Sequence, residues 1–495
     1  MNRQTVSRKS GERLGGWRLE HSYARLPEPL FTRQAPVPVR APHPCLLNTA
    51  LALELGVDPD FLAGPEGTAM LAGNSLPPGS EPIAQAYAGH QFGHFTMLGD
   101  GRALLLGEQT TPDGRRCDIQ LKGSGRTPYS RQGDGRAALG PMLREYVVSE
   151  AMHALGIPTT RSLAVVRTGE PVLRDTVLAG AVLTRTADSH LRVGTFEYAA
   201  RYAPAALESL TDYTIRRHFP VCAEAANPAL ALLEAVAVRQ AELLAKWMHV
   251  GFVHGVMNTD NMALSGQTID YGPCAFMDAY HPDTVFSSID SGGRYAYGRQ
   301  PGIAMWNLAR FADTLLPLIG DSPSRAATQA ESALATFANR FQAAWLDGAR
   351  ARLGLLAVEE GDDAMVRELY DWMREAKADH TNTFAFLCGR AMPETAPFGR
   401  PRFRSWHARW VARLAHQPGG LDAARERMRR TTPAIVPRNH IVEAALTAAA
   451  SHDDFGPLRR LLDALARPFD HDGIPAAYRQ PPPPDSPPYR TFCGT

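Results

Sequence analysis

His254-Gly-Val-Met-Asn-Thr-Asp-Asn261, followed by Thr268-Ile-Asp-Tyr-Gly272, is the stretch on which the fold turns. It comes directly after a long apolar-periodic segment, Pro228 to Val250, which Gly251 stops. That is the pattern of an amphipathic helix ended by a residue able to turn left-handed. Phe252 to Asp278 then reads as a strand, a loop and a second strand. Asn261 and Asp270 bring hard oxygen ligands to the loop, suited to a Mg²⁺ that keeps waters and bridges phosphates. Asn and Asp are common in any turn. Here, though, the histidine-to-asparagine spacing and the Asp-Tyr-Gly fall together behind one long helix. Asp260, next to Asn261, is the carboxylate nearest to hand for moving a proton.

Upstream, Gly93 to Lys122 reads as β-structure. His94 to Leu98 and Ala103 to Glu108 flank Gly99-Asp-Gly-Arg102, so a hairpin is expected there. Glycines at such a turn let backbone N–H groups approach phosphate oxygens, and Arg102 adds a fork of donors. Pro112-Asp-Gly114 marks another turn, and Asp118-Ile-Gln-Leu-Lys122 alternates like a third strand. A lysine there either snorkels at the strand edge or binds phosphate with a carboxylate holding its stem. The helix expected from Pro141 to about Leu155 offers Glu145, on a stripe with Met142, Ser149 and Met152. It also offers Glu150, on a stripe with Leu143, Val147 and Ala154. Both stripes are partly apolar, so periodicity leaves the choice open. Between strand and helix, Lys122 to Arg136 packs four glycines and four cationic residues into fifteen positions. Such a loop suits polyphosphate better than a core. Arg185 and Arg192 are further candidates for phosphate forks.

Outward from this centre, β-like segments are expected around Ser162–Val166 and Ala181–Thr184. Helices are expected at Trp306–Leu318, Ala326–Leu353, Asp363–Ala378, Arg402–Leu414 and His440–Ala449. Residues 1–80 are rich in proline and arginine and read as an extension with one short helix near Leu46 to Leu55. Gln480 to Pro488 is proline-rich and reads as extended. The 52 basic and 51 acidic residues cancel, which gives no overall pull towards nucleic acid or an anionic membrane. No apolar run approaches the ~20 residues that span a bilayer. Met1 to Gly16 is basic without an apolar core and does not read as a secretory signal. The six scattered cysteines form no C-x-x-C pair, so a reducing compartment without a zinc knuckle or disulfide framework is expected.

A small β-rich part with one helix, then a larger helical part with its metal-type loop near the start, matches the protein kinase plan. In kinases H-R-D-x-x-x-x-N supplies a base and a metal ligand, and D-F-G supplies a second ligand. Aligning His254 with that histidine places Asn261 and Asp270 as the ligands. The usual base position is then Val256, which cannot take a proton.

Longer motifs carry a more specific resemblance. Tyr87-Ala-Gly-His-Gln-Phe-Gly-His94, Leu98 to Arg102, Gln120 to Arg131, Gly133-Asp-Gly-Arg136, Arg144-Glu-Tyr146, His254 to Met262, Asp270-Tyr-Gly-Pro273, Gln300-Pro301 with Trp306-Asn-Leu308, and Cys493-Gly-Thr495 resemble the selenoprotein O family of kinase-like protein adenylyltransferases. The resemblance is strong over roughly residues 80–310. It implies an α+β, two-lobed kinase-like fold: an N-terminal extension (1–80), an N-lobe (81–200), a mainly helical C-lobe (201–479) and a tail (480–495). ATP is held in reverse and AMP is moved to Ser, Thr or Tyr hydroxyls of protein substrates, with Mg²⁺ or Mn²⁺. Carried over by residue, Gly99, Gly101, Arg102, Asp134 and Gly135 line the nucleotide site. Lys122 contacts phosphate and pairs with Glu145, while Arg185 and Arg192 bind the terminal phosphates. Asp260 is the base, and Asn261 and Asp270 hold metal. Conventional phosphotransfer and an inactive ATP-binding scaffold are the alternatives. A monomer without nucleic-acid or membrane partners is expected, in the bacterial cytoplasm, or in mitochondria if the source is eukaryotic. The resemblance also suggests a redox role for Cys493, with Cys274 as the partner to test.

Overall fold

Strand alternation builds the large sheet and aims its chemistry. In the strand Arg116–Lys122, Ile119 and Leu121 pack on one face, into an apolar cluster with Trp17, Leu51, Leu71, Leu163 and Val182. Gln120 and Lys122 point to the opposite face, because successive side chains in a strand alternate. The next strand, Val177–Ala187, pairs antiparallel with it, setting Leu183 opposite Lys122 and Arg185 opposite Gln120. The computed structural model describes residues 14–391 and 397–492.

The strand order across the antiparallel sheet is Phe31–Arg33, Ile83–Gln85, Ala103–Thr110, Arg116–Lys122, Val177–Ala187, Arg161–Leu173 and His43–Leu47. Leu19–Glu20 joins Ala103–Thr110, and Ala137–Ala138 joins Val177–Ala187, making nine strands. Three of the strands come from before residue 50, where the weak periodicity suggested only one short helix. Short strands with mixed burial carry little alternation, and their partners lie far along the chain. Three short helices, Thr49–Glu54, Pro59–Ala63 and Pro65–Leu71, follow there.

The hairpin expected at Gly99–Arg102 does not form. His94–Met97 pairs instead with Ala88–Gln91, through a two-residue turn at Phe92 and Gly93. Both turn residues have positive φ, 51° and 87°, which suits the twist of a tight hairpin. Gly99 to Arg102 carries the chain from that small hairpin into the sheet. Its Asp100 turns inward and is buried, accepting from the Gln85 N–H at 3.1 Å and the Gln120 amide at 3.2 Å. A turn residue with those partners cannot face solvent. The turn at Pro112-Asp-Gly114 is present, with Thr110 opposite Arg116 across it.

The helix Pro228–Val250 runs as its spacing dictates and ends on Gly251 in the left-handed region. It packs against Gln300–Ile319 and Pro323–Arg352 in the largest apolar cluster. Asp362–Ala376, Pro401–Ala415 and Asn439–His452 also match expected helices within a few residues. Val193–Tyr202, Leu207–His218, His380–Leu387, Gly420–Thr431 and Gly456–Leu465 were not legible in the sequence. Asn439–His452 and Gly456–Leu465 pack back on the helix Leu139–Ala154, which carries Glu145. No helix among the described residues is long and apolar enough to cross a membrane.

Candidate active site

Lys122 ends its strand on the face covered by the helix Leu139–Ala154. Its Nζ donates to Glu145 Oε2 at 2.6 Å and to Asp270 Oδ1 at 2.9 Å. The other Glu145 oxygen faces Arg185 Nη1 at 3.3 Å, and Arg185 Nε donates to Gln120 at 2.6 Å. Lys122, Glu145 and Arg185 are all buried. A buried carboxylate between two cations fixes the lysine stem, since removing one partner of such a set leaves a charge without compensation. Glu150 has a different task. It accepts from Arg161, from the Asn48 amide and from the Ser162 N–H, tying helix to sheet. The tie that periodicity left between the two glutamates is therefore broken by packing.

Asp270 sits at φ 65°, a conformation side chains other than glycine rarely take. The surrounding protein alone would raise its carboxyl, but Lys122, Arg102 and Arg185 outweigh that and hold it well below the usual carboxylate range. It is therefore ionised, and its side chain keeps 33% of its surface open. Its Oδ2 makes no hydrogen bond among the described residues. An ionised, half-open carboxylate fits a divalent cation. Asn261 presently donates its amide to the Val256 carbonyl at 3.1 Å. No cluster of three or more His, Cys, Asp or Glu able to hold a metal occurs among the described residues.

Asp260 lies on a single helical turn, Thr259–Asn261, packed against the helix Val193–Tyr202 and the strand Ala88–Gln91. It is only 7% exposed, and its Oδ1 has no hydrogen-bond partner. Burial pushes its carboxyl up to about 7, against the pull of Arg192, while Asp270 and Glu197 add to the rise. A carboxylate in that state can take a proton near neutrality. Arg192 does not reach the Asp260 side chain. It donates to the Asp260 main-chain carbonyl at 3.2 Å and lies 4.3 Å from the centre of the Tyr87 ring.

Two clefts meet at Arg102. One, of about 680 Å³, is lined by Leu98, Gly99, Gly101, Arg102, Asp134, Gly135 and Asp260. The other, of about 500 Å³, contains Arg102, Lys122, Glu145 and Asp270. Nine of the expected site residues thus fall on two adjoining walls. Arg185, Arg192 and Asn261 line neither cleft; the two arginines are buried behind them. Asp134 pairs with Arg174, 2.9 Å away on the Arg161–Leu173/Val177–Ala187 hairpin, which fixes the glycine-rich loop.

Several contributors were not legible in the sequence. Tyr87, Tyr129 and Arg174 line the larger cleft. Glu443 and Leu446, with Tyr489 to Phe492, close the smaller one. Glu197 accepts from the Thr259 hydroxyl and from His90 Nδ1. The motif around His90 was visible, but its partner lies more than a hundred residues away. Cys274 is buried and its thiol is pushed up to about 12 by that burial. Thr491 reaches the same segment, donating its hydroxyl to the Pro273 carbonyl at 2.7 Å. Cys493 lies outside the described residues.

A family model described as Protein adenylyltransferase SelO matches residues 20–466. The chain is similar to the Protein nucleotidyltransferase YdiU of Syntrophotalea carbinolica, at 58% identity over 481 residues, covering 97% of this chain and 98% of that protein. The Geobacillus kaustophilus protein of the same name is also 58% identical, with 97% and 99% covered. That of Bacillus cytotoxicus is 55% identical over 491 residues, with 99% and 100% covered.

Proposed function

The chain belongs to the SelO family of protein adenylyltransferases and is a nucleotidyltransferase, and from that premise we propose that it moves AMP from ATP to Ser, Thr or Tyr hydroxyls of proteins, releasing pyrophosphate. The observation that carries this reading is the orphaned Asp260 oxygen in the glycine-lined cleft, four residues along the chain from a Val256 that cannot serve as a base. In the proposed step the acceptor hydroxyl gives its proton to Asp260. Its oxygen bonds to the α-phosphorus while the bond from that phosphorus to the β-bridging oxygen breaks. Pyrophosphate leaves with a higher total charge than a departing ADP, though each gains one new charge at the broken bond, so cations along its path matter. Arg102 stands at the shared wall of the two clefts and Lys122 beyond it in the smaller one, where Arg185 backs Lys122 through Glu145. Arg192 acts by holding the Asp260 main chain. Gly99, Gly101, Asp134 and Gly135 form the cradle for the nucleotide.

The reading includes Mg²⁺ or Mn²⁺, for which Asp270 and, after a turn of its amide, Asn261 are the ligands. Such an ion neutralises phosphate charge in the transition state. It also includes a kinase-like arrangement in which residues 81–200 supply Lys122 and Glu145, and residues 201–479 supply Asp260 and Asp270. Leu19–Glu20, Phe31–Arg33 and His43–Leu47 add strands to the sheet, and Tyr489 to Phe492 of the tail border the smaller cleft. A cytoplasmic setting agrees with cysteines that stand unpaired among the described residues.

ATP labelled at either the α- or the γ-phosphate tests the chemistry. Protein-bound label from the α position alone is expected. Label from γ alone means a kinase, and label from neither, with ATP bound, means a scaffold. Asp260→Ala should stop transfer while leaving ATP bound.

A further inference from the structure

A stripe of aromatic rings in tilted and edge-to-face contact runs from the neighbourhood of Asp260 out to solvent. Tyr198 packs on Tyr202 with ring centres 5.5 Å apart, and Tyr202 on Phe95 at 6.4 Å. Phe95 meets the His90 ring at 5.4 Å, and His90 meets Trp306 at 5.3 Å. The rings come from three separate elements: the hairpin Ala88–Met97, the helix Val193–Tyr202 and the helix Gln300–Ile319. Tyr202, at the end of its helix, is 49% exposed and Met97, at the end of the hairpin, 42%. Phe95, Tyr198 and Trp306 are half-buried.

Arginines lie over this stripe. Arg201 sits 4.5 Å from the Phe95 ring centre, and Arg294 and Arg310 sit 4.9 and 5.2 Å from that of Trp306. Arg310 is paired with Asp313 at 2.8 Å. Arg201 and Arg294 make no ion pair among the described residues. A guanidinium stacked on a ring keeps its edge donors free for a carboxylate. Aromatic rings with arginine at a half-exposed face are the composition of binding hot spots.

The inner end of the stripe is tied to the chemistry. His90 is held by Glu197, and Glu197 also accepts from the hydroxyl of Thr259, the residue before Asp260. Whatever lies along the rings therefore approaches the wall that carries the candidate base. We propose that this face docks an acidic stretch of the acceptor protein beside the hydroxyl that receives AMP. The inference rests on the proposed function and adds the class of acceptor it favours. Two uncompensated cations call for negative charge, and the rings call for apolar or aromatic neighbours of the acceptor.

Two short fluorescent peptides test it, each with one tyrosine, flanked in one by Asp and Glu and in the other by Lys and Arg. Their binding to the full chain is followed by anisotropy with a non-hydrolysable ATP analogue present. The acidic peptide should bind about tenfold tighter than the basic one, and R201E with R294E should erase that difference while ATP-analogue affinity stays unchanged. The milder R201Q with R294Q pair should reduce it in the same direction, and Tyr202→Ala should weaken the acidic peptide without reversing the preference. Equal binding of both peptides overturns the proposal. So does a preference that survives both arginine pairs with nucleotide binding intact, or displacement of the peptide by a single-stranded oligonucleotide that binds more tightly. Acidic-peptide binding that follows the arginines, without transfer of α-label, sinks the reaction proposed above and leaves the docking face standing.

Discussion

Gly89→Ala is a sharp test of Asp260, because the added methyl presses hardest on its carboxylate and next on its neighbour Thr259. Gly89 is buried in the strand Ala88–Gln91, and its φ lies outside the left-handed region, so alanine meets no backbone strain. A methyl placed there would stand 2.7 Å from Asp260 Oδ1 and 3.0 Å from Thr259 Oγ1, where ordinary contact begins at 3.4 Å. The carboxylate must therefore retreat by about 0.7 Å, roughly the misplacement known to cost up to about a hundredfold in rate. We expect kcat for AMP transfer to fall about 10- to 100-fold, or ~1.4–2.7 kcal/mol of transition-state stabilisation. ATP affinity should hold, since Gly89 does not line either cleft. Gly302→Ala, where nothing lies within 4 Å of the new methyl, is the control. The assay is initial-rate incorporation of α-label, with nucleotide binding measured by calorimetry on the same samples. A Gly89→Ala enzyme with kcat within a factor of about two of the parent would refute the placement of Asp260 at the reacting hydroxyl.

Other consequences can be checked in parallel. Glu145→Gln removes the carboxylate that Lys122 and Arg185 share, so ATP affinity should drop and the fold should lose about 3–5 kcal/mol in denaturant titration. Chelation by EDTA should abolish transfer, and added Mg²⁺ or Mn²⁺ should restore it; activity that persists in chelator rejects the metal. Burial pushes His218 and His249 down to about 3 in the folded protein. The unfolded chain binds their protons below about pH 6.5 and the folded chain does not, so stability falls as pH drops from 6.5, by up to about 1.4 kcal/mol per histidine per pH unit. His249→Gln should flatten that slope by one histidine's share in thermal melts between pH 7 and 5.

Local spacing determined a good deal of this protein. The periodicity of Pro228 to Val250 and the glycine after it set the long helix, and Pro112-Asp-Gly114 set the turn before the Lys122 strand. The spacing from His254 to Asn261 and Asp270 marked the reactive loop, and Val256 within it argued against an ordinary kinase base. Each of these signals acts within a few residues, through sterics, capping or alternation, so the sequence exposes it directly. Tertiary structure decided the rest. It chose Glu145 over Glu150 by giving Glu150 to Arg161 and Asn48. It turned Asp100 inward, so that Gly99 to Arg102 became a crossing and not a hairpin. Sheet register set Arg185 opposite Gln120, behind the clefts and not in them, and the helix Asn439–His452 came back to cover the Glu145 helix. Those outcomes depend on which distant surfaces bury one another and which buried charge finds a partner, and neither is written in the spacing of neighbouring residues.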